Sequence, residues 1–428
     1  MTGPANRIGI IAGSGSLPRE VAESIVARGG SVHVVMVDGA AEAALAMFPH
    51  TVVNWAQPGR TTAALKQAGV RDVVMLGGFQ RPSFRSARPD FGFFQMLPRV
   101  VRLLRAGGDD AVLRGLVALF ERRGLKVVGV GDVAPDLLAE TGVLTARAPS
   151  SQDDADAATG LALVAALGCY DIGQAVVVAN GRVEAIEGAE GTDRMLKRVA
   201  DVRGSAEVKV RGGVVVKRPK PGQDLRVDLP AIGPKTMDSA AAAGLSGVAV
   251  MAGHVLCAER PRMIAAADAH RVFVAGVASP RAEAHSMSPD AKVVGLGAVS
   301  VDDGTVRDIR RGAGILSALT EFDTGSAVVI DRRRVIAVGT DEAPNEVVCR
   351  AAGLRGGKRR RGVVVVGPTH FDAHVVRAAA DGLFAGVAVV RQAGAADLSR
   401  DLVGLADQLG IFVAAVETGA RAGEHGRG

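Results

Sequence analysis

Four short apolar runs mark the first third of the chain, each closing on glycine or aspartate: residues 7–13 (RIGIIAG), 31–38 (SVHVVMVD), 70–78 (VRDVVMLGG) and 125–132 (LKVVGVGD). Their hydrophobic positions are nearly continuous instead of alternating, which is the pattern of strands buried on both faces of a parallel sheet. Between the first two, Pro18 opens a stretch of helical periodicity that Gly29 and Gly30 close, and further helical stretches cover 61–68 and 111–123. Strand alternating with helix predicts an α/β fold: an amino-terminal Rossmann-like open parallel sheet over residues 1–147, with helices on both faces.

The pattern then changes. After the loop 148–152 (APSSQ), a helical stretch at 154–167 leads into 171–188 (DIGQAVVVANGRVEAIEG), a hairpin whose turn is Asn180-Gly181. Residues 323–340 (DTGSAVVIDRRRVIAVGT) repeat that phrase at an offset of 152 residues (323 − 171). Gly173 matches Gly325, Arg182-Val183 matches Arg334-Val335, and the register still holds where Arg203-Gly204 meets Arg355-Gly356. The tetrapeptide GVAV then recurs at Gly247 and Gly386. Two tandem related α/β domains are therefore predicted, 148–278 and 279–420, with a disordered tail at 421–428. Within them the offset falls from 149 (363 − 214) to 139 (386 − 247), so the second copy lacks about ten residues of the polar, proline-punctuated segment that follows Val216 in the first.

Composition narrows the class. With 48% hydrophobic and 22% charged residues, the 428-residue chain has ample material for buried cores. One Trp, one Tyr and 12 Phe argue against an aromatic platform for single-stranded nucleic acid. There is no apolar run of 18 residues, and the start (MTGPANRIGIIAG) lacks the basic region and cleavage pattern of a signal peptide, so the expected location is the cytoplasm. Cys169, Cys257 and Cys349 form no CxxC pair, which points to reduced thiols, not a disulfide framework or structural zinc site. A net charge of +6 permits attraction to phosphates or an anionic membrane surface without requiring nucleic acid as partner.

Ligands of open α/β sheets sit at the carboxyl ends of the strands, which here carry Gly13-Ser14-Gly15, Asp38, Gly77-Gly78 and Asp132. Gly13 and Gly15 would let backbone N–H groups approach a phosphate, and Asp38 stands where a ribose-binding acid is expected. Pro18 replaces the third glycine of the dinucleotide fingerprint, so a nicotinamide oxidoreductase competes with a plain tight turn or a site for another nucleotide-like ligand. The densest chemistry lies further on: Lys217, Lys220, Gln223, Asp224, Arg226 and Asp228 within one short segment stiffened by Pro219, Pro221 and Pro230. Such a mixture suits a phosphate ester. Asp224 and Asp228 would hold Mg²⁺ (or Mn²⁺) or activate water, while the cations neutralise developing oxyanions. The competing reading is a self-neutralising surface loop.

The phrases IGIIAGSGSLP, VVMLGGFQRP, GGDDAVLR, LLAETGVLT, DIGQAVVV, AIEGAEGTDRML and KPGQDLRVDLPAIGPKT, in this order, resemble the UDP-2,3-diacylglucosamine pyrophosphatases of lipid A assembly. The resemblance is to the two-domain type, not the calcineurin-like one, and covers about residues 6–276. It implies metal-dependent hydrolysis of that glycolipid nucleotide to 2,3-diacylglucosamine 1-phosphate and UMP, in the cytosol beside the inner membrane of a Gram-negative bacterium. It also implies acyl chains entering between two domains, and an essential acid within QDLRVDLP, either Asp224 or Asp228. By motif, Gly13, Gly15, Gly77, Gly78, Arg81 and Pro82 would line the substrate site, as would Asp109, Asp110, Glu190, Thr192 and Asp193. Asp109 and Asp110 equally suit a helix cap, and Asp193 a helix first turn. GSG stands where the family has GNG.

Residues 277–428 have no place in the ordinary family chain. Lacking the QDLRVDLP loop, the appended copy is expected to be catalytically dead and to pack as a pseudo-subunit, giving either a homodimer or a pseudo-dimeric monomer. Residues 277–292 have the character of a linker. HFDAH (370–374) spaces two histidines as a zinc helix would, with Phe371 in place of the needed Glu; the alternative is an exposed pair at a helix start. RGGKRRRG (355–362) reads as a solvated connection or a contact with anionic lipid at the membrane periphery. Beside hydrolysis stands a non-catalytic, regulatory lipid-binding or nucleotide-sugar-binding relative.

Overall fold

The computed structural model describes residues 7–78, 88–94, 109–205, 212–278, 291–357, 359–392, 394–395 and 397–418. The chain divides into two compact units: Met1–Ala148 with Gln223–Asp238 and Val248–Ser279, and Pro149–Gly222 with Ser239–Gly247 and Pro280–Gly428.

In the first unit, β1 (Arg7–Ala12), β2 (Ser31–Val37), β3 (His50–Val53), β4 (Asp72–Leu76) and β5 (Lys126–Val127) form one sheet of order β3-β2-β1-β4-β5. Every neighbouring pair is parallel. The continuous apolar runs acquire their meaning here. Ile8, Ile10, Val32, Val34 and Val74 point into one core, and Ile11, Val35, Val73 and Met75 into the core on the opposite face. Helix α1 (Leu17–Ala27) carries Pro18 in its first turn and buries Val21, Ala22 and Ile25. Helices α2 (Pro58–Gln67) and α3 (Asp109–Arg122) complete the layers.

Two details depart from the sequence reading. Strand β3 escaped it because an edge strand half open to water shows no continuous apolar run. The run 125–132 supplies only two strand residues, because the Asp132 carboxylate accepts the Gly129 N–H (2.9 Å) and turns Val130–Val133 into a single helical turn. Asp132 is thus a capping residue.

The chain continues through β6 (Gly142–Val143), α4 (Ser151–Leu167), β7 (Ala175–Ala179), β8 (Arg182–Ile186), α5 (Thr192–Ser205) and β9 (Val214–Lys217). Then come β10 (Ala231–Ile232), α6 (Pro234–Ala242), β11 (Gly247–Met251), β12 (Leu256–Cys257), α7 (Arg260–His270) and β13 (Phe273–Val277). In the first unit β6 pairs antiparallel with β13, and β10 parallel with β12. In the second, β7 pairs antiparallel with both β8 and β9.

The appended copy comprises β14 (Lys292–Gly295), α8 (Asp303–Leu319), β15 (Ala327–Asp331), β16 (Arg334–Val338), α9 (Pro344–Arg355), β17 (Val363–Val366), α10 (Ala373–Asp381), β18 (Gly386–Gln392), α11 (Arg400–Gln408) and β19 (Phe412–Thr418). Its sheet runs β14-β19-β18-β17-β15-β16. The β17-β15-β16 end has the same antiparallel pairing as β9-β7-β8, and the β14-β19 end the same as β6-β13. The likeness extends to irregularities. Both hairpins shift register at corresponding points, Val177/Val178 and Val329/Ile330. Asp171 and Asp323 both adopt left-handed backbone, with φ of 49° and 50°. A methyl group on Gly160 would lie 2.5 Å from Val216, and one on Gly312 the same distance from Val365, so each helix lies close on its sheet at the same glycine. The two stretches thus share strand pairing, register shift and backbone irregularities.

Candidate functional site

The residues singled out from sequence fall into two groups, one in each unit. In the first unit the QDLRVDLP segment is pinned by its apolar residues: Val227 packs against the core on one sheet face and Leu229 against the core on the other. Asp228 stands between these two anchors, and Asp224 and Arg226 lie just before them. The N–H groups of Val227 and Asp228 both donate to the Asp224 carbonyl oxygen at 3.1 Å, closing a turn. Across it, the Asp224 carboxylate accepts from Arg226 Nε at 2.9 Å and Nη2 at 2.7 Å, and Arg226 Nη1 donates to Glu121 of α3 at 2.8 Å. The Arg226 guanidinium holds the Asp224 carboxyl below the usual range, against the opposing effect of burial. Asp224 raises Arg226 in turn. Gln223, itself buried, donates its amide to the carbonyl oxygen of Asp228 (2.8 Å) and to the Asp228 carboxylate. The central segment is thus an organised turn in which each of the two acids is held by a different partner.

The glycines of the strand ends meet each other. Ser14 and Gly78 exchange backbone hydrogen bonds at 2.9 and 2.8 Å, and the Gly13 N–H donates to Leu76. A methyl on Gly13 would stand 2.7 Å from the Gly78 carbonyl oxygen, and Gly77 adopts φ +96° against the backbone of Gly13 and Ser14. These glycines exist for a backbone crossing that admits no Cβ. The N–H groups of Gly13 and Ser14 are consumed in it, that of Gly13 being one of the two, with Gly15, expected to approach a phosphate. Gly15 lies beyond, at φ +99° with open space around it. Asp109 and Asp110 are the first two residues of α3, which starts two positions earlier than the periodicity implied. Arg81 and Pro82 lie outside the described residues.

In the second unit, Thr192 opens α5 and its hydroxyl donates to Glu187 Oε1 (3.1 Å) while accepting from Lys217 Nζ (3.2 Å). Glu187 Oε2 accepts the Gln174 N–H at 2.8 Å. Lys220 is ion-paired with Asp171. Between them Arg218, only 5% exposed, donates to the Leu161 carbonyl at 3.2 Å and pegs the loop after β9, its pKa lowered by burial. Asp193 occupies the first turn of α5. Sequence reading missed Glu187, Gln174, Asp171 and Arg218. For Glu187 the repeat carried a signal: with Thr192 and Lys217 it corresponds to Gly339, Pro344 and Val366, so the appended copy loses the whole trio, whereas Asp171 is kept there as Asp323.

Glu190 lies apart from that trio. Its side chain is 4% exposed and engages Arg198 Nη2 at 3.0 Å and Arg350 Nη1 of the appended copy at 3.5 Å. Arg198 approaches Glu342 at 3.7 Å, and Arg350 is also paired with Glu342.

The two motifs noted in the appended copy resolve differently from their spacing. His370 ends a short turn and Phe371 is extended before the helix, so His370 and His374 do not share a helical face; Asp372 instead caps α10 by accepting the Val375 N–H at 2.9 Å. In the basic run, Arg355 stacks over Phe384 and donates to the Leu383 carbonyl, and Arg361 pairs with Asp331 at 2.9 Å. Residues 421–428, 279–290 of the linker and Lys358 of the basic run lie outside the described residues.

A Rossmann-type parallel sheet followed by two copies of one α/β domain, only the first keeping its polar trio, defines a two-domain architecture extended by duplication. The family model described as the LpxI N-terminal domain matches residues 7–137, and that of the LpxI C-terminal domain matches 140–275 and 294–370. A curated relative, UDP-2,3-diacylglucosamine pyrophosphatase LpxI of Caulobacter vibrioides, is 38% identical over 275 residues, which is 63% of this chain and 97% of that protein. The chain belongs to the LpxI family. A solved murein peptide ligase from Psychrobacter arcticus aligns with 97% of this chain and 91% of its own at 10% identity, with a TM-score of 0.18, a superposition too poor to bear on the fold.

Proposed function

We propose that this chain hydrolyses UDP-2,3-diacylglucosamine to 2,3-diacylglucosamine 1-phosphate and UMP in lipid A assembly. The observation that carries the reading is the match along 97% of the length of the Caulobacter pyrophosphatase. Water adds to one phosphorus of the pyrophosphate, the bridging P–O bond breaks, and the two monophosphates leave. Asp224, kept ionised by Arg226, and Asp228 on the same turn are hard oxygen donors of the kind Mg²⁺ takes alongside phosphate oxygens. When bound there, Mg²⁺ or Mn²⁺ would neutralise charge on the pyrophosphate. Because Asp224 stays anionic at neutral pH, it acts as a fixed charge and acceptor and not as a proton donor. Arg226, shared between Asp224 and Glu121, keeps that carboxylate oriented. Lys217 and Lys220, steadied by Thr192 and Asp171, supply positive charge for phosphate oxygens.

The expected working place is the cytosol, in peripheral contact with the membrane that holds the substrate. Among the described residues no helix is long and apolar enough to cross a membrane. The appended copy, without counterparts of Glu187, Thr192 and Lys217, is catalytically silent. The test is UMP release from UDP-2,3-diacylglucosamine, with and without Mg²⁺ or Mn²⁺, by wild type, Asp224→Ala and Asp228→Ala. Metal-dependent release abolished in either variant supports the reading; no release from folded wild type sinks it.

A further inference from the structure

The charged group at Glu190 is symmetric in sequence. Glu190 and Glu342 are 152 residues apart, and so are Arg198 and Arg350, the same offset that relates the two hairpins. Each arginine approaches both glutamates: Arg198 lies 3.0 Å from Glu190 and 3.7 Å from Glu342, and Arg350 lies 3.5 Å from Glu190 and is paired with Glu342. Both arginine side chains are only 16% exposed. Four ionised groups of net zero charge, largely out of water, hold their positions firmly, because each loses its compensation if one moves.

The loop carrying Glu190 is the loop that carries Thr192. It is gripped from the appended copy twice: by Arg350 at Glu190, and by the Ile336 carbonyl, which accepts the Ala189 N–H at 3.0 Å. Two residues beyond Glu190, the Thr192 hydroxyl accepts from Lys217 at 3.2 Å, and Glu187, at the loop's other end, accepts from that same hydroxyl at 3.1 Å. Arg350 itself is braced by the Val338 carbonyl at 3.2 Å.

We propose that Arg350, contributed by the catalytically silent copy, is a positioning residue for the first copy: by holding Glu190 it fixes the Glu187–Thr192 loop and, through Thr192, the Lys217 ammonium. The appended copy on this account completes the site it does not itself contain. The inference rests on the reading that Lys217 serves pyrophosphate hydrolysis, yet its physical core, the coupling of Arg350 to Lys217, is testable without turnover.

The full-length protein is labelled with a trace of acetic anhydride, and the rate at Lys217 is read by mass spectrometry against exposed Lys197. In Arg350→Met, Lys217 should label about threefold faster relative to Lys197 than in wild type, and Glu190→Gln should do the same. Arg182→Ala, which breaks the exposed pair with Asp341 (2.6 Å) at the same junction, should leave the ratio unchanged. An unchanged ratio in both Arg350→Met and Glu190→Gln, or an equal rise in Arg182→Ala, overturns the proposal. Should Arg350→Met fail to fold, Glu190→Gln carries the same comparison. In the hydrolysis assay, Arg350→Met should lower kcat/KM about tenfold in the wild-type background and less than twofold in Lys217→Ala. Equal losses in both backgrounds would assign Arg350 a general structural role and overturn the coupling. If wild type releases no UMP, the hydrolase reading falls, and the labelling ratio still decides the role of Arg350.

Discussion

Asp224 and Asp228 share one turn but not one environment. Asp224 is clamped by the Arg226 guanidinium, while the Asp228 carboxylate receives the Gln223 amide. A carboxyl whose folded pKa is depressed contributes stability above its unfolded value, about 3.9, and loses that contribution as pH falls through the folded value. The acid limb of kcat/KM should therefore not arise from Asp224 in wild type. In Arg226→Met the Asp224 carboxyl should titrate at higher pH than in wild type, followed by NMR of the side-chain carboxyl, as it loses its main stabilising hydrogen bonds. A titration that stays in place would show that Arg226 does not set the charge of Asp224. The two acids were legible in sequence because carboxylates and cations crowd a proline-stiffened segment. Glu187 and Asp171 were not, because a single acid beside an apolar strand looks like surface, and only the hydroxyl and ammonium folded onto it reveal its role.

At the level of elements, the two hairpin turns contain a natural experiment. Asn180 and Gly181, at φ 52° and 79°, are the residues such a turn favours; Arg332 and Arg333, at φ 51° and 68°, hold the same left-handed conformation with ordinary side chains. Each is tied to its helix in the same way: Asp156 accepts the N–H groups of Asn180 and Gly181 at 2.9 and 2.7 Å, and Asp308 accepts that of Arg333 at 2.9 Å. The acceptor holds the backbone, so the double substitution Arg332→Asn, Arg333→Gly should raise stability by about 1 kcal/mol in chemical denaturation. A lower midpoint would mean that the arginine side chains contribute more than the turn costs. The crossing of strand ends gives the opposite case. Gly77→Ala should cost roughly 2–3 kcal/mol, since a Cβ there meets the backbone of Gly13 and Ser14 at 2.8 Å. Sequence pattern located buried strands well, because burial on both faces leaves an unbroken apolar run. It missed β3, half wet at the sheet edge, and overran β5, where a polar cap stops the strand. It did not foresee the backbone crossing at Gly13, Gly77 and Gly78, because the need for glycine at such a crossing and at a ligand leaves the same mark in sequence.

For the whole molecule, the ion group shows how the two stretches related by the repeat offset meet. A two-fold interface requires that residue i meet j and j meet i; Glu190 meeting Arg350 while Glu342 meets Arg198 satisfies this within one chain. A protein ending at residue 278 would leave Glu190 and Arg198 without the second pair. Removing half of a buried ion group costs on the order of 3–5 kcal/mol, too much to leave unanswered when an identical half is available on another molecule. The shortened chain should therefore form a dimer in which two copies of Glu190 and two of Arg198 rebuild the group, seen as a doubled mass in light scattering. Glu190→Arg in the shortened chain would place four cations together and should return it to a monomer of lower thermal midpoint. The full-length chain, with the interface filled internally, should show no comparable association through this surface. A shortened chain that stays monomeric with unchanged stability would mean that the appended copy is a passenger and not a built-in partner.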